Sequence, residues 1–410
     1  MNMNSEALAS RETGERTSST MGYIVGSFLS FRLFFVLLVV RVFRQDPQAG
    51  VGAQLALNYL LLGIVVFRSL GSSGSSLGPL FRLPGMRWIA IYLGFSGASL
   101  LWSSTYSLPA AIAFWIAMTA DAAIVFLLLC EGPLDEEVDG IMKGYVWGAC
   151  VVATIAWIMP EQSDLRLGDE ELLGPNQIGY LCAFSFFFAQ YLMRREASQW
   201  KLHTLLLGIT LLRSLSKTTI LAFILAQAFI LLRDPAVSRS TKRRALYFTV
   251  ALLLLFSGLI SKYYVVYSNA GNQSETLTGR LDIWLYMLNE GIQQPWVGHG
   301  FHSVWKVIPP FGPDRFEARH AHNELLQQFY AYGFCGVAIT VGLYMTLYKN
   351  LKSLRTTSQR ALLQGMLLFA LIRGFADTEV FDLTLPMWSL VMIAFLVDRL
   401  RQNRRYTCES

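Results

Sequence analysis

The chain has 410 residues, of which 53% are hydrophobic and 15% charged, with a mean hydropathy of +0.41 and a formal net charge of +6. Soluble domains carry about 25% charged residues, so this composition excludes an ordinary soluble globular protein and places the chain with polytopic membrane proteins. The charge is too modest to point to nucleic acid, and five scattered cysteines without paired spacing (Cys130, Cys150, Cys182, Cys335 and Cys408) argue against a disulfide framework or a zinc site.

Residues 1–20 are polar and read as a disordered cytoplasmic N-terminus. The apolar run after them is long enough to span and lacks a small-residue cleavage site, unlike a signal peptide. A bilayer crossing needs about 20 apolar residues, within a range of about 17–25. On that measure residues 21–261 hold the first nine candidate spans: Tyr23–Phe43, Val51–Phe67, Trp88–Trp102, Pro109–Cys130, Ile141–Met159, Gln177–Met193, Leu202–Leu215, Thr218–Leu232 and Ala245–Ser261. Residues 262–323 form a large outer loop. Residues 324–398 hold three more candidates, Leu325–Tyr348, Ala361–Gly374 and Leu383–Val397, and 399–410 form a basic tail. The sum is about twelve spans.

Lysine and arginine sort to the cytoplasmic side of membranes. They cluster here in alternate connections: Arg68, Arg82 and Arg87; Arg194, Arg195 and Lys201; Arg233 with Arg239 to Arg244; Lys349 to Arg360; and the tail from Arg399. Twelve spans and this charge pattern give the same parity. Both termini then lie inside, and the loop Lys262–His320 lies outside with the connections at 161–176, 215–218 and 377–382.

The outer loop is the one long stretch that is not apolar, and it carries four of the five histidines. Long polar connections between apolar elements are commonly functional. Several cations break the cytoplasmic rule. Arg213 and Lys217 bracket the tight turn between the seventh and eighth spans, Arg373 sits late in the eleventh, and Arg280 lies in the outer loop. A cation inside a span costs about 2.5–3.5 kcal/mol. Singly, each can snorkel or pair with a carboxylate; four on one face beside a polar loop point to an anion site, since arginine forks suit phosphate and lysine serves as a point charge. Arg32 and Asp121, mid-span, read as a buried structural pair.

His320 and His322 alternate and are followed by Asn323 and Glu324; His299 and His302 are three apart. The spacing matches no standard zinc motif. A histidine at the mouth of a polar cavity is more naturally a general base, although His320 and His322 holding the loop by hydrogen bonds stays open. Gly298 and Gly300 permit a sharp reversal after Pro295. Asn176, after Gly174-Pro175, reads as the cap of the sixth span. Asp377 and Glu379 form a carboxylate pair on the outer face, suited either to a divalent metal or, for Asp377, to helix capping.

The pieces Gly174-Pro-Asn-Gln177, Ser214-Leu-Ser-Lys-Thr218, Gly279-Arg-Leu-Asp-Ile-Trp284, Pro295-Trp-Val-Gly-His-Gly300 and His322-Asn-Glu-Leu-Leu326, followed by Gly333 and Gly336, resemble in order and spacing the bacterial O-antigen ligase and O-antigen polymerase family. Lys217 in its Ser-Lys-Thr position resembles the exopolysaccharide polymerase branch, and the N-terminal half resembles the family only in hydropathy. The resemblance implies an all-α polytopic membrane protein, GT-C-like, with a large helical periplasmic loop. It would be a multi-pass protein of the bacterial inner (cytoplasmic) membrane with a periplasmic active site. It also implies a metal-independent glycosyltransferase without cofactor. The enzyme would take glycan from undecaprenyl diphosphate and pass it to a hydroxyl of a glycan or lipid-linked glycan acceptor, with a polysaccharide assembly complex as a further partner. Arg280 and Lys217 would then face the diphosphate and His322 would be the general base. Arg213, His320, Asn323, Arg373, Asn176 and Glu379 would contact substrate. The rival reading is a transporter or flippase for lipid-linked oligosaccharides, which would place its polar site near the bilayer midplane, often on inverted repeats; no repeat is visible.

Overall fold

The computed structural model describes residues 19–44, 47–71, 78–159, 166–168, 173–255, 258, 277–303, 320–378 and 383–409. Regular structure among them is helical. In chain order the helices are α1 (Thr20–Phe43), α2 (Pro47–Gly71), α3 (Gly78–Arg82), α4 (Pro84–Ala98), α5 (Leu108–Glu131), α6 (Leu134–Ile158), α7 (Pro175–Glu196) and α8 (Lys201–Arg213). They continue with α9 (Lys217–Arg233), α10 (Arg239–Leu255), α11 (Leu277–Gln293), α12 (Glu324–Ser353), α13 (Ser358–Gly374) and α14 (Met387–Glu409).

Each apolar run read as a span overlaps a helix, the end of the run Ala245–Ser261 lying outside the described residues, and the two additional helices, α3 and α11, fall in connections. The helices are not equally able to cross a bilayer. Among the described residues Gln48–Gly71, Leu108–Glu131, Leu134–Ile158 and Glu324–Ser353 are long and apolar enough, with bent α1 as a fifth. By contrast α4 has 15 residues, α8 has 13, and α9 and α13 have 17 each. At 1.5 Å per residue, 17 residues reach about 25 Å, short of a hydrocarbon core of about 30 Å. Apolar sequence predicts where these helices lie, but not that all twelve cross in full.

α1 packs most extensively on α6. The cause is a facing set of glycines at four-residue spacing: Gly22 and Gly26 on α1, with Gly140, Gly144 and Gly148 on α6. A methyl at Gly26 would strike the Ile141 carbonyl, and one at Gly144 the Tyr23 carbonyl. Small residues let two backbones approach where lipid offers no hydrophobic drive between helices. Ser27 adds a hydrogen bond to the Gly144 carbonyl at 3.3 Å. Arg32 and Asp121 form the ion pair expected of them, joining α1 to α5. The centre of the bundle is aromatic: Tyr145 of α6, Phe184 and Phe188 of α7 and Trp388 of α14 meet with ring centroids 4.6–6.2 Å apart.

Several charged pairs gather at one end. Arg194 meets Asp234 at 3.0 Å, Arg195 meets Asp139 at 3.2 Å and Arg68 meets Glu131 at 3.2 Å. The acids between α5 and α6, anomalous beside the basic connections, are thus partners for the arginines. Ser358 donates to Asp234, so the start of α13 lies against the end of α9 and the two 17-residue helices run antiparallel. Consequently Lys217 at the start of α9 and Arg373 at the end of α13 share the opposite end of the bundle.

Candidate active site

That opposite end is built from helix termini. The turn 295–303 is fastened by backbone to two places. Toward α12, His299 and Gly300 donate to the carbonyls of Tyr330 and Ala331 at 3.0 and 2.7 Å, and Phe334 and Cys335 donate to those of Pro295 and Trp296 at 2.7 and 3.2 Å. This pairing needs a break in α12, which Gly333 supplies at φ +62°. Gly298 and Gly300 have φ +62° and +87°, and a side chain at Gly298 would collide with the Ala331–Tyr332 backbone. Toward the segment after α4, Ser104 donates to the His299 carbonyl at 2.8 Å and Phe301 N–H donates to Ser99 Oγ at 2.9 Å. The glycines therefore make the reversal and a close backbone contact. His299 stacks on Tyr330, and His302 Nδ1 lies 2.7 Å from Thr105 Oγ1. These two histidines hold the turn, and burial pushes His302 down to about 4.

The other two histidines do something different. Asn323 caps α12, accepting from Leu326 N–H at 3.0 Å, and its amide donates to the Phe375 carbonyl at 3.1 Å. The residue before it, His322, has φ +50°, a left-handed conformation in which histidine is enriched among non-glycine residues. His322 Nδ1 lies 3.3 Å from Asp377 Oδ1. The other Asp377 oxygen accepts from Arg373 at 3.2 Å, and Arg373 lies over the Tyr180 ring, 4.3 Å from its centroid. The His320 ring stands nearly perpendicular to that of His322, with centroids 4.0 Å apart.

Burial alone would raise the Asp377 carboxyl, but the Arg373 guanidinium, followed by His322, holds it well below the usual carboxylate range. An ionised carboxylate only accepts, so His322 Nδ1 carries a proton, and in the neutral imidazole Nε2 is then the nitrogen with the lone pair. The His322 side chain is 14% exposed, against 4% for Asp377 and 2% for Arg373. The imidazole is the accessible member and the two charges lie behind it. Burial, then His322 and Arg373, push His320 down to about 3, so it is neutral near pH 7.

Arg280, on the first turn of α11, donates from Nη1 to the Ala376 carbonyl at 2.5 Å, one residue from Asp377. Its Nε–H is buried without an acceptor among the described residues. Asn176 is the second residue of α7 and does not cap it: its side chain accepts from Ser216 Oγ at 2.8 Å, while Gln177 accepts from Gly174 N–H at 3.2 Å. Asn176 lies one helical turn before Tyr180. The helix face touching Ser216, next to Lys217, therefore also carries the ring under Arg373. Lys217 opens α9 and Arg213 closes α8, with Leu215 between them at φ +56°. Glu379 lies outside the described residues.

Sequence reasoning left Asp377 between a metal ligand and a helix cap. Its side chain contacts Arg373 and His322. The only signal was its place four residues after Arg373, which sets the two on one helical face. Glu324, read only as a neighbour of the histidines, is buried and accepts from Tyr344 at 2.8 Å and from Thr384. His320, His322 and Asp377 bring ligand atoms within 4.8 Å of one another, a group able in geometry to hold a metal ion. A cation there would compete with the Arg373 guanidinium for Asp377.

Apolar crossing helices around a polar cluster at one end of the bundle define an integral membrane protein with a partly enclosed site. Within it, residues 202–341 match the family model described as O-antigen ligase. The matched stretch contains Arg213, Lys217, Arg280, His320, His322 and Asn323; Asn176, Arg373, Asp377 and Glu379 lie beyond it. No curated protein matches the chain.

Proposed function

We propose that the protein is a membrane glycosyltransferase. It moves glycan from an undecaprenyl-diphosphate donor to a sugar hydroxyl at the periplasmic face of the inner membrane, as a polymerase or ligase of polysaccharide chains. The observation that carries the reading is the oriented imidazole of His322, backed by Asp377 and beside Arg280, in a chain with an O-antigen ligase match.

In this reading His322 Nε2 takes the acceptor hydroxyl proton while the oxygen attacks the anomeric carbon. The bond from that carbon to the diphosphate oxygen breaks, and the departing diphosphate keeps the electron pair. Asp377 holds the imidazole in the tautomer that can accept and stabilises the imidazolium formed. Arg280 and Lys217 face the developing negative charge, so the step uses side-chain cations and no metal. Arg213, Asn176 and Asn323 contact substrate, and Glu379 is given the same role from the sequence alone. His320 buttresses the His322 ring, and Arg373 serves the site through Asp377. The arginine-rich pairs at the far end of the bundle support a cytoplasmic placement of that end, and the one-ended polar cluster favours an enzyme over a midplane transporter.

The test is incubation of the purified protein with undecaprenyl-diphosphate repeat units, with and without a lipid-linked acceptor, and sizing of the products on a gel. Longer chains or a glycosylated acceptor are the expected result. Unchanged donor under both conditions overturns the proposal.

A further inference from the structure

α12 is continuous in sequence but bent into two arms. Glu324 at its start accepts from Tyr344 Oη at 2.8 Å, although 20 positions separate them. In a straight helix those two residues would stand roughly 30 Å apart. The bend is at Gly333, whose φ of +62° and ψ of −158° are not helical. A side chain on Gly336 would lie 3.0 Å from the Gln328 carbonyl, which a straight helix would hold about 12 Å away. The arm 334–353 is roughly 30 Å long and can cross a bilayer by itself. The short arm 324–332 folds back beside it, and His322 and Asn323 lead into its start.

The Glu324 carboxylate ties the two arms together, and it reaches further. Its other oxygen accepts from Thr384, just ahead of α14. Gly374, the residue after Arg373, makes room for it: a methyl there would stand 2.7 Å from Glu324 Oε2 and 3.0 Å from Thr384 Oγ1. The carboxylate therefore lies against the end of α13, within electrostatic reach of Arg373. Arg373 donates to Asp377, and Asp377 meets His322. The groups close a circuit that runs along the backbone from His322 to Glu324, across to Arg373, and back through Asp377. Glu324, Arg373 and Asp377 are all buried. Buried charges hold their places by pairing, so the position of this one guanidinium depends on both carboxylates.

We infer that Glu324 is a positioning residue of the proposed transfer: it ties the arm that follows His322 to the crossing arm of α12, and it shares Arg373 with Asp377. The inference rests on the transfer reading and adds what holds its base in place. Glu324 acts through Arg373 and Asp377, not on substrate. Without its charge, Arg373 rests on Asp377 alone and draws that carboxylate away from His322 Nδ1. The imidazole then loses its orientation, and Nε2 becomes a weaker nucleophile. A small misplacement of an oriented group costs up to about 10²-fold in rate.

The test is Glu324→Gln in the full-length protein in phospholipid nanodiscs. Glutamine keeps the shape and can still meet both hydroxyls, so the charge alone is lost. Turnover of undecaprenyl-diphosphate repeat units should fall about ten- to hundredfold, with the KM for the donor little changed. A second reading needs no transfer: the rate at which diethyl pyrocarbonate modifies His322, followed by mass spectrometry with His203 of α8 as internal reference. That rate should slow severalfold in Glu324→Gln. Gly374→Ala displaces the carboxylate by another route, because its methyl meets the end of a flexible side chain. It should give the same split and the same slowing, and it serves where Glu324→Gln does not fold. Folded Glu324→Gln with wild-type turnover and wild-type labelling overturns the inference and leaves Glu324 a structural tie alone. A rise in donor KM with His322 labelling unchanged overturns it too. If the wild type transfers no glycan, the transferase reading falls and labelling decides. Slower His322 modification then sustains the hold of Glu324 on the imidazole, and an unchanged or faster rate overturns it.

Discussion

His322 Nδ1 and Asp377 Oδ1 lie 3.3 Å apart although 55 residues separate them in sequence. His322 ends the polar loop before α12, and Asp377 begins the connection after α13. Their meeting joins the two halves of the site, and its chemistry can be taken apart by substitution.

Asp377→Asn keeps the shape but removes the charge that fixes the His322 tautomer. Glycan transfer should fall about 10²–10⁴-fold, the usual worth of general-base catalysis, with donor affinity little changed. Because Arg373 also loses its partner, the folded fraction must be checked by thermal unfolding in the same preparation. Near-wild-type turnover by folded Asp377→Asn would remove the dyad from the mechanism.

Removing the base and removing the donor cation should differ. His322→Ala should nearly abolish transfer, again about 10²–10⁴-fold, while donor binding survives. Arg280→Ala should weaken donor binding as well, since the diphosphate is present in both ground and transition states. Donor affinity of both variants, measured on membrane-inserted protein, decides. The reverse pattern would mean that the two roles are exchanged.

Lys217→Arg retains the positive charge at the start of α9 and should keep measurable activity. Lys217→Ala should lose about tenfold or more in turnover if the charge stabilises the leaving diphosphate, an interaction commonly worth several kcal/mol. Equal activity in both variants would place Lys217 outside the site.

Activity should survive EDTA, because Arg373 already occupies Asp377 and cations are available for the diphosphate. If chelation stops turnover and one divalent ion restores it, the group His320, His322 and Asp377 becomes a metal centre.

Stability should fall on acidification. His320 and His302 are pushed from an ordinary 6.5 to about 3 and about 4. Below pH 6.5 the unfolded chain therefore binds protons that the folded one refuses. The stabilisation is complete above pH 6.5 and is lost as pH falls toward 4 and 3. Asp377, also held low, adds a loss below about pH 4. Thermal unfolding between pH 7 and pH 4.5 should show a falling midpoint, shallower in His320→Asn. A flat profile in the wild type would show that neither histidine is buried as described.

The positions of the helices were legible in the sequence because apolar length is a local property. Each predicted run from Tyr23–Phe43 to Leu383–Val397 overlaps a helix within the described residues. So was the residue chemistry near the site: His322, Arg280 and Asn323 stood out as polar groups in an apolar chain. Local pattern did not reveal the shortness of α8 or α9, because an apolar run does not show where caps and turns end a helix. It also assigned Asn176 to its own helix terminus, whereas the side chain reaches across to Ser216.

Composition and spacing by themselves determined an apolar helical chain of membrane type, one long polar segment between its apolar runs, and the cations and histidines found there. Tertiary structure alone decided which of them meet. It separated His299 and His302, which hold the 295–303 turn, from His320 and His322, and it set Asp377 behind His322 and Arg373 behind Asp377. The physical reason is that helical periodicity acts over a few residues, whereas the partner of a buried charge is chosen by where low-dielectric packing brings a complementary group within hydrogen-bonding distance, at any separation along the chain.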